Sequence, residues 1–104
     1  RAFLVKQKNL FEYNNKQILI MKYLYFSAPW CGPCRMLGPK MEQVAESVTV
    51  EKINVDESPE MAQANFVRNL PTVILVNEAG VEQERFVGVK DVQFYLDKIK
   101  EYEG

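Results

Sequence analysis

The sequence predicts an α/β domain, a sheet with helices on both faces, and three observations carry that prediction. Short apolar runs of strand character alternate along the chain with stretches of helical periodicity. The chain has 104 residues, the size of one compact domain covering residues 1–104. Apolar side chains make up 47% of it, enough for a real core.

Each element follows from local chemistry. Phe3-Leu4-Val5 is a candidate first strand, and Asn9 with Glu12 resembles a capping box for a short helix. Residues 18–28, rich in β-branched and aromatic side chains, predict a long strand ending at Pro29. A helix then begins, with Cys34, Leu37, Met41, Val44, Ala45 and Val48 on one stripe. Pro39 lies inside that stripe and, lacking an N–H, predicts a kink. Val50 to Val55 is a further strand. Ser58-Pro59-Glu60 then starts a short helix with a cap, a proline in the first turn and an acid at the positive end of the dipole. Its expected buried face is Met61, Ala62 and Phe66. Val73-Ile74-Leu75-Val76 is a buried strand, joined through Asn77-Glu78-Ala79-Gly80 to an exposed partner over Glu82 to Val87. Asp91 caps a last helix whose inward stripe is Val92, Tyr95, Leu96 and Ile99. The resulting order is β-α-β-α-β-α-β-β-α, with right-handed β-α-β crossovers.

Charge and cysteine content narrow the function. Thirteen basic and fourteen acidic residues leave a net charge of −1, so no global field argues for nucleic acid or an anionic membrane. No apolar run approaches the ~18–20 residues of a membrane span, and Lys22 interrupts Ile18–Met21, which makes a poor signal-peptide core. The chain begins at Arg1, consistent with a processed form. Met21 is a candidate internal start, which would make residues 1–20 an extension. The only two cysteines, Cys31 and Cys34, would close too small a loop to act as a structural staple. Their number favours a reducing, intracellular setting, and the expected location is the cytoplasm.

Those cysteines sit in Trp30-Cys31-Gly32-Pro33-Cys34 beside the only tryptophan. A Cys-x-x-Cys pair is often half of a zinc site, but zinc normally takes four ligands, and the chain has no histidine and no third cysteine. No metal site within one chain is expected; a metal shared between two chains, or two inert buried thiols, stay open at this point. The redox reading has a physical reason at each position. Cys31 at a helix start would have its thiolate stabilised by unpaired amides and the dipole. Cys34, three residues later, lies within bridging distance on the same face. Gly32 admits a partner backbone, Pro33 stiffens the first turn, and Trp30 offers a flat apolar flank. Cys31 would attack a partner disulfide, and Cys34 would release the mixed disulfide that forms. No cofactor is expected beyond this redox-active pair.

The Trp30–Cys34 string followed by Arg35, with Pro39 in the helix, Asn54-Val55-Asp56, Leu70-Pro71-Thr72 and Gly88, resembles the thioredoxin family. The resemblance runs continuously from about residue 18 to 104, while the first 17 residues carry no diagnostic motif. It implies a thioredoxin fold: a mixed sheet of about five strands flanked by about four helices, in the spatial order first, third, second, fourth, fifth. It also implies a cis Leu70–Pro71 bond, backbone pairing of Leu70 with a bound partner segment, and an apolar docking surface of Trp30, Pro71, Val87 and Gly88. The implied activity is reduction of protein disulfides by a monomer, which an electron donor such as a thioredoxin reductase would recharge. Two other readings are a thioredoxin-fold binding module, or subunit of a larger assembly, with incidental redox activity, and an oxidant in an oxidising compartment.

The chain departs from the family at sites that bear on rate. The resemblance implies a buried aspartate six residues before the first cysteine, where this chain has Tyr25. Lys52 matches the lysine that pairs with that aspartate, so it is left without its partner and is expected to reach solvent. Weaker activation of Cys34 and slower release of the mixed disulfide follow. Ser27 stands where the family has a second tryptophan, which opens space near the motif that Tyr23 and Tyr25 are expected to fill in part. Asn69 replaces a common glycine at a position where asparagine is tolerated. Arg35, Lys40, Arg68 and Lys90 would make a locally basic rim, either an ordinary solvated surface or a preference for acidic partners.

Overall fold

The structure, a computed structural model, describes residues 21–103. The candidate strand at Phe3–Val5, the capping box at Asn9 and the start of the long strand at residues 18–20 lie outside the described residues.

The central strand, β1, spans Met21–Ser27, and α1 follows over Gly32–Val44. β2 covers Thr49–Asn54, α2 Pro59–Ala64, β3 Thr72–Asn77, β4 Glu82–Val87 and α3 Val92–Glu103. The sheet order is β2-β1-β3-β4. β1 pairs parallel with β2 and antiparallel with β3, and β4 returns antiparallel to β3. This is the expected spatial order for the strands within the described residues. Four strands and three helices lie there, and the further strand and helix that were expected fall outside the described residues.

β1 has a neighbour on each side and a core on each face, which explains its nearly unbroken apolar sequence. Side chains alternate across a strand, so its residues divide between two cores. Tyr23 and Tyr25 join Leu37, Met41 and Val44 of α1 and Tyr95 and Ile99 of α3. Leu24 and Phe26 face the other way, with Ile53, Ile74 and Val76, against Met61, Ala62, Val67 and Leu70. The first core is the more aromatic. Tyr23 meets Tyr95 edge to face at 5.5 Å, and Phe86 meets Phe94 at 4.9 Å. The Tyr23 hydroxyl donates to the Tyr95 carbonyl at 2.7 Å, tying α3 to β1.

Several elements differ in detail from expectation. β1 stops at Ser27 because Ala28 leads into the turn before the motif, and β2 runs one residue earlier than Val50 to Val55. Ala45 is exposed, since α1 ends at Val44 and Ala45 serves as its C-cap. Pro39 lies exposed within a single thirteen-residue helix. Ser58 occupies the N-cap of α2 but makes no side-chain capping bond there. Asp91 precedes α3, and its carbonyl accepts from the Phe94 N–H at 3.0 Å.

The clearest correction is Phe66, expected in the core and in fact 71% exposed. It closes α2 in a Schellman arrangement: the Phe66 N–H donates to the Gln63 carbonyl at 3.1 Å and the Val67 N–H to that of Ala62 at 2.9 Å. That closure demands a left-handed residue, and Phe66 has φ 56°. Its side chain therefore turns away from the stripe. Arg85 holds the segment in place, donating to the carbonyls of Asn65 at 2.8 Å and Phe66 at 3.3 Å while paired with Glu82. A non-glycine residue costs roughly 1–2 kcal/mol in this conformation. Phe66→Gly is expected to stabilise the fold by about 1 kcal/mol in urea denaturation, after the greater entropy of glycine in the unfolded chain is counted. A loss of stability would contradict the strain.

The buried phenols make the fold sensitive to alkali. Burial is the main cause that raises the pKa of Tyr95 from 10.0 to about 12, and burial raises Tyr23 further. The unfolded chain gives up these protons near pH 10, whereas the native state keeps them. Stability is therefore full below about pH 10 and falls as pH climbs towards 12. Phenolate absorbance and circular dichroism should change together across that window. Complete tyrosine ionisation with native dichroism would disprove the linkage.

Candidate active site

After β1 ends at Ser27, the chain turns at Pro29–Trp30 and Cys31 becomes the N-cap of α1. Its N–H donates to the Ala28 carbonyl at 3.2 Å, closing that turn. With φ −89° and ψ 113°, Cys31 points its sulfur back over the helix start, where Sγ accepts from the Cys34 N–H at 3.2 Å. Gly32 opens the helix, and Pro33 occupies a first-turn position where its missing N–H costs nothing. Cys31 and Cys34 form a disulfide with Cα atoms 5.2 Å apart, well inside the range for such bridges. Both cysteines are buried against Ala28, with Val55 and Leu70 packed over them.

Two clefts flank this disulfide. The one on the Cys31 side, of about 510 Å³, is lined by Trp30, Gly32, Pro33, Val67 and Leu70 among others. Trp30 is 66% exposed, and its indole N–H is anchored on the Asp56 carboxylate at 3.1 Å. Asp56 is placed in turn by its own N–H donating to Asn54 Oδ1 at 2.8 Å. The Asn54-Val55-Asp56 string carried part of the resemblance without revealing that Asp56 orients the tryptophan. Leu70–Pro71 is cis. Pro71 itself is fully buried, so it is not exposed on the docking surface it was expected to form. Its carbonyl accepts from the Gly88 N–H at 2.9 Å, and Gly88 takes φ 94°, which suits glycine. Val87, beside it, is half exposed.

The cleft on the Cys34 side, of about 400 Å³, opens where Ser27 stands, and Tyr25, Glu42 and Lys52 line it too. Tyr25 is buried, and its hydroxyl donates to the Cys34 carbonyl at 3.1 Å. Lys52, its register neighbour on β2, is exposed, as expected for a lysine without its carboxylate. Burial raises the Tyr25 pKa, with a Ser27 hydrogen bond partly offsetting it. The phenol is therefore protonated at neutral pH and is no base for the Cys34 proton.

The expected basic rim disperses in part. Lys40 pairs with Asp91 at 3.5 Å, Arg35 donates to the Pro29 carbonyl at 3.3 Å, and Lys90 lies 5.7 Å from the centre of the Phe94 ring. Arg68 lines the Cys31-side cleft.

A closable pair of cysteines at a helix start, at the end of the central strand of a mixed sheet, defines a class: dithiol–disulfide oxidoreductases of α/β architecture. The comparisons specify the family. The thioredoxin family model matches residues 3–101. A thioredoxin of Chlamydia pneumoniae is 44% identical over 80 residues, covering 74% of this chain and 78% of that protein. A bifunctional thioredoxin reductase/thioredoxin of Mycobacterium leprae is 41% identical over 81 residues, 74% of this chain and 17% of that protein. Among solved structures, a thioredoxin variant from Halobacterium salinarum superposes with a TM-score of 0.74 at 35% identity, over 94% of this chain and 88% of that one. The chain belongs to the thioredoxin family and is a thiol–disulfide oxidoreductase.

Within that chemistry, the proton on Cys34 has no buried carboxylate to receive it at the Tyr25 position. Tyr25→Asp should accelerate mixed-disulfide release about tenfold or more, in line with the rate effects of a positioned general base. Stopped-flow measurement of the release step gives the answer, and an unchanged rate would show that Tyr25 does not limit it.

Proposed function

We propose that the protein is a protein-disulfide reductase in which Cys31 attacks and Cys34 resolves. The hydrogen bond from the Cys34 N–H to Cys31 Sγ, at the N-cap of α1, carries this assignment. A thiolate on Cys31 receives that N–H and the positive end of the helix dipole, whereas Cys34, one turn inside, does not. In the reduced protein, Cys31 thiolate attacks one sulfur of a partner disulfide and expels the other as a thiolate, leaving a mixed disulfide. Cys34, deprotonated, then attacks Cys31 Sγ, frees the second partner thiolate and closes the bridge. The partner gains two electrons and this chain leaves oxidised.

The partners are disulfide-containing proteins, seated on Trp30, Val87 and Gly88 with Pro71 beneath, the backbone of Leu70 pairing with the bound segment. Gly32 and Pro33 shape the approach to Cys31, and Tyr25 and Lys52 form the environment of Cys34. The electron donor is a thioredoxin reductase, a reading supported by the Mycobacterium leprae relative, whose name joins the two activities. Residues 1–104 form one domain that works as a cytoplasmic monomer without cofactor or metal. Among the described residues, no group of three His, Cys, Asp or Glu could hold a metal, and no helix is long and apolar enough to cross a membrane.

Serine substitutions test the order of attack. Cys34→Ser should accumulate a covalent adduct with disulfide substrates, visible by mass spectrometry, while Cys31→Ser should abolish turnover without trapping. The reverse pattern would exchange the two roles, and turnover retained in the double variant would refute the enzyme. Redox titration against glutathione should place the pair near about −270 mV rather than the roughly −120 mV of a strong oxidant.

A further inference from the structure

β1 sends two phenols to helix carbonyls, and only one of them meets the reactive pair. The Tyr23 hydroxyl donates to Tyr95 inside α3. The Tyr25 hydroxyl donates at 3.1 Å to the carbonyl of Cys34 itself, in the first turn of α1. Tyr25 is 2% exposed, so water does not compete for that bond. Its hydroxyl also lies against the next turn of the helix, where a Cβ on Gly38 would meet Tyr25 Oη at 4.0 Å. Only the C, Cα and Cβ atoms separate the Cys34 carbonyl oxygen from its own sulfur. The partial negative charge on that oxygen therefore opposes a thiolate on Cys34. A donor seated on the oxygen offsets part of that charge with its own positive hydrogen.

We propose that the Tyr25 hydroxyl, acting through the Cys34 carbonyl, favours the Cys34 thiolate and thereby speeds release of the mixed disulfide. This role rests on the reading that Cys34 is the resolving cysteine. It makes Tyr25 a positioning residue and not a base, because the phenol keeps its own proton. Cys34 gives its proton to a base in solution, and its thiolate attacks Cys31 Sγ. The bond from Cys31 to the partner breaks, and the partner sulfur departs as a thiolate. Cys31 and Cys34 are oxidised to the bridge, and the partner is reduced. Other charges nearby act separately. Arg35 and Glu42 of α1 and Lys52 of β2 line the cleft shared by Tyr25 and Cys34, and all three are exposed and screened by solvent. Tyr95 of α3, in the same core as Tyr25, is a neutral phenol at pH 7. Loss of the Tyr25 hydroxyl alone leaves each of these groups in place.

Tyr25→Phe in the full chain removes only that hydroxyl. The test is the pH dependence of mixed-disulfide release, followed by stopped flow. The variant should keep the plateau rate at high pH, with the midpoint moved up by about 0.7 pH unit. Below the midpoint, release is then about fivefold slower, the size expected for one neutral hydrogen bond. The rate of attack by Cys31 should not change, which also shows that the variant is folded. Replacement of Tyr25 by 3-fluorotyrosine, a stronger hydrogen-bond donor of nearly the same shape, should move the midpoint down and gives a second reading independent of the first. A midpoint that neither change moves, or a lower plateau with the midpoint fixed, as a purely structural contact would give, would overturn the proposal. Release that persists in Cys34→Ser would instead overturn the resolving role beneath it.

Discussion

The double confinement of β1 is the constraint on which the rest of the structure depends. Strand partners on both sides and cores on both faces leave Met21–Ser27 no freedom of register or direction. A slip of one residue would turn Tyr23 and Tyr25 towards the face of α2 and Leu24 and Phe26 towards that of α1. The reactive pair begins four residues beyond this strand, so its position is inherited from the most fully determined part of the sheet. The helix that follows is fixed at the same point, because Tyr25 reaches from β1 to the Cys34 carbonyl. Strand, turn and helix start therefore form a single mechanical unit around the sulfurs.

That unit separates two environments. On the Cys31 side, an exposed indole ring and Leu70 line one cleft. On the Cys34 side, the replacement of two large or charged family residues by Ser27 and Tyr25 leaves a polar recess. Tyr25 presents a phenol there rather than a carboxylate, and Ser27 a side chain far smaller than an aromatic ring. Two positions on one face of β1 thus shape the recess beside Cys34.

Much of this was legible in the sequence because it depends on local signals. The period-two division of Tyr23, Leu24, Tyr25 and Phe26, the helical stripe of Leu37, Met41 and Val44, and the Gly32-Pro33 helix start are properties of a few adjacent residues. Leu70-Pro71-Thr72 at its proper distance from the cysteines carried the cis bond through resemblance. Phe66 was misplaced because the hydrophobic pattern counted it into a stripe, while the closure of α2 required a left-handed residue there. Backbone geometry outweighed side-chain character, and no composition rule gives warning of that. Pro71 was expected on an exposed surface and is buried, since the depth of a residue depends on distant segments such as Gly88. The grip of Asp56 on Trp30 joins residues twenty-six apart and became visible only in three dimensions.

That grip has an optical consequence. Trp30 is the chain's only tryptophan, so the protein's indole emission comes from a single ring at the rim of the reactive pair. The ring is held by one carboxylate at the end of β2 and otherwise faces solvent. Opening of the bridge, arrival of a partner or displacement of Asp56 each alters the surroundings of that one fluorophore. The molecule thereby carries its own unlabelled reporter, with no second indole elsewhere to dilute the signal.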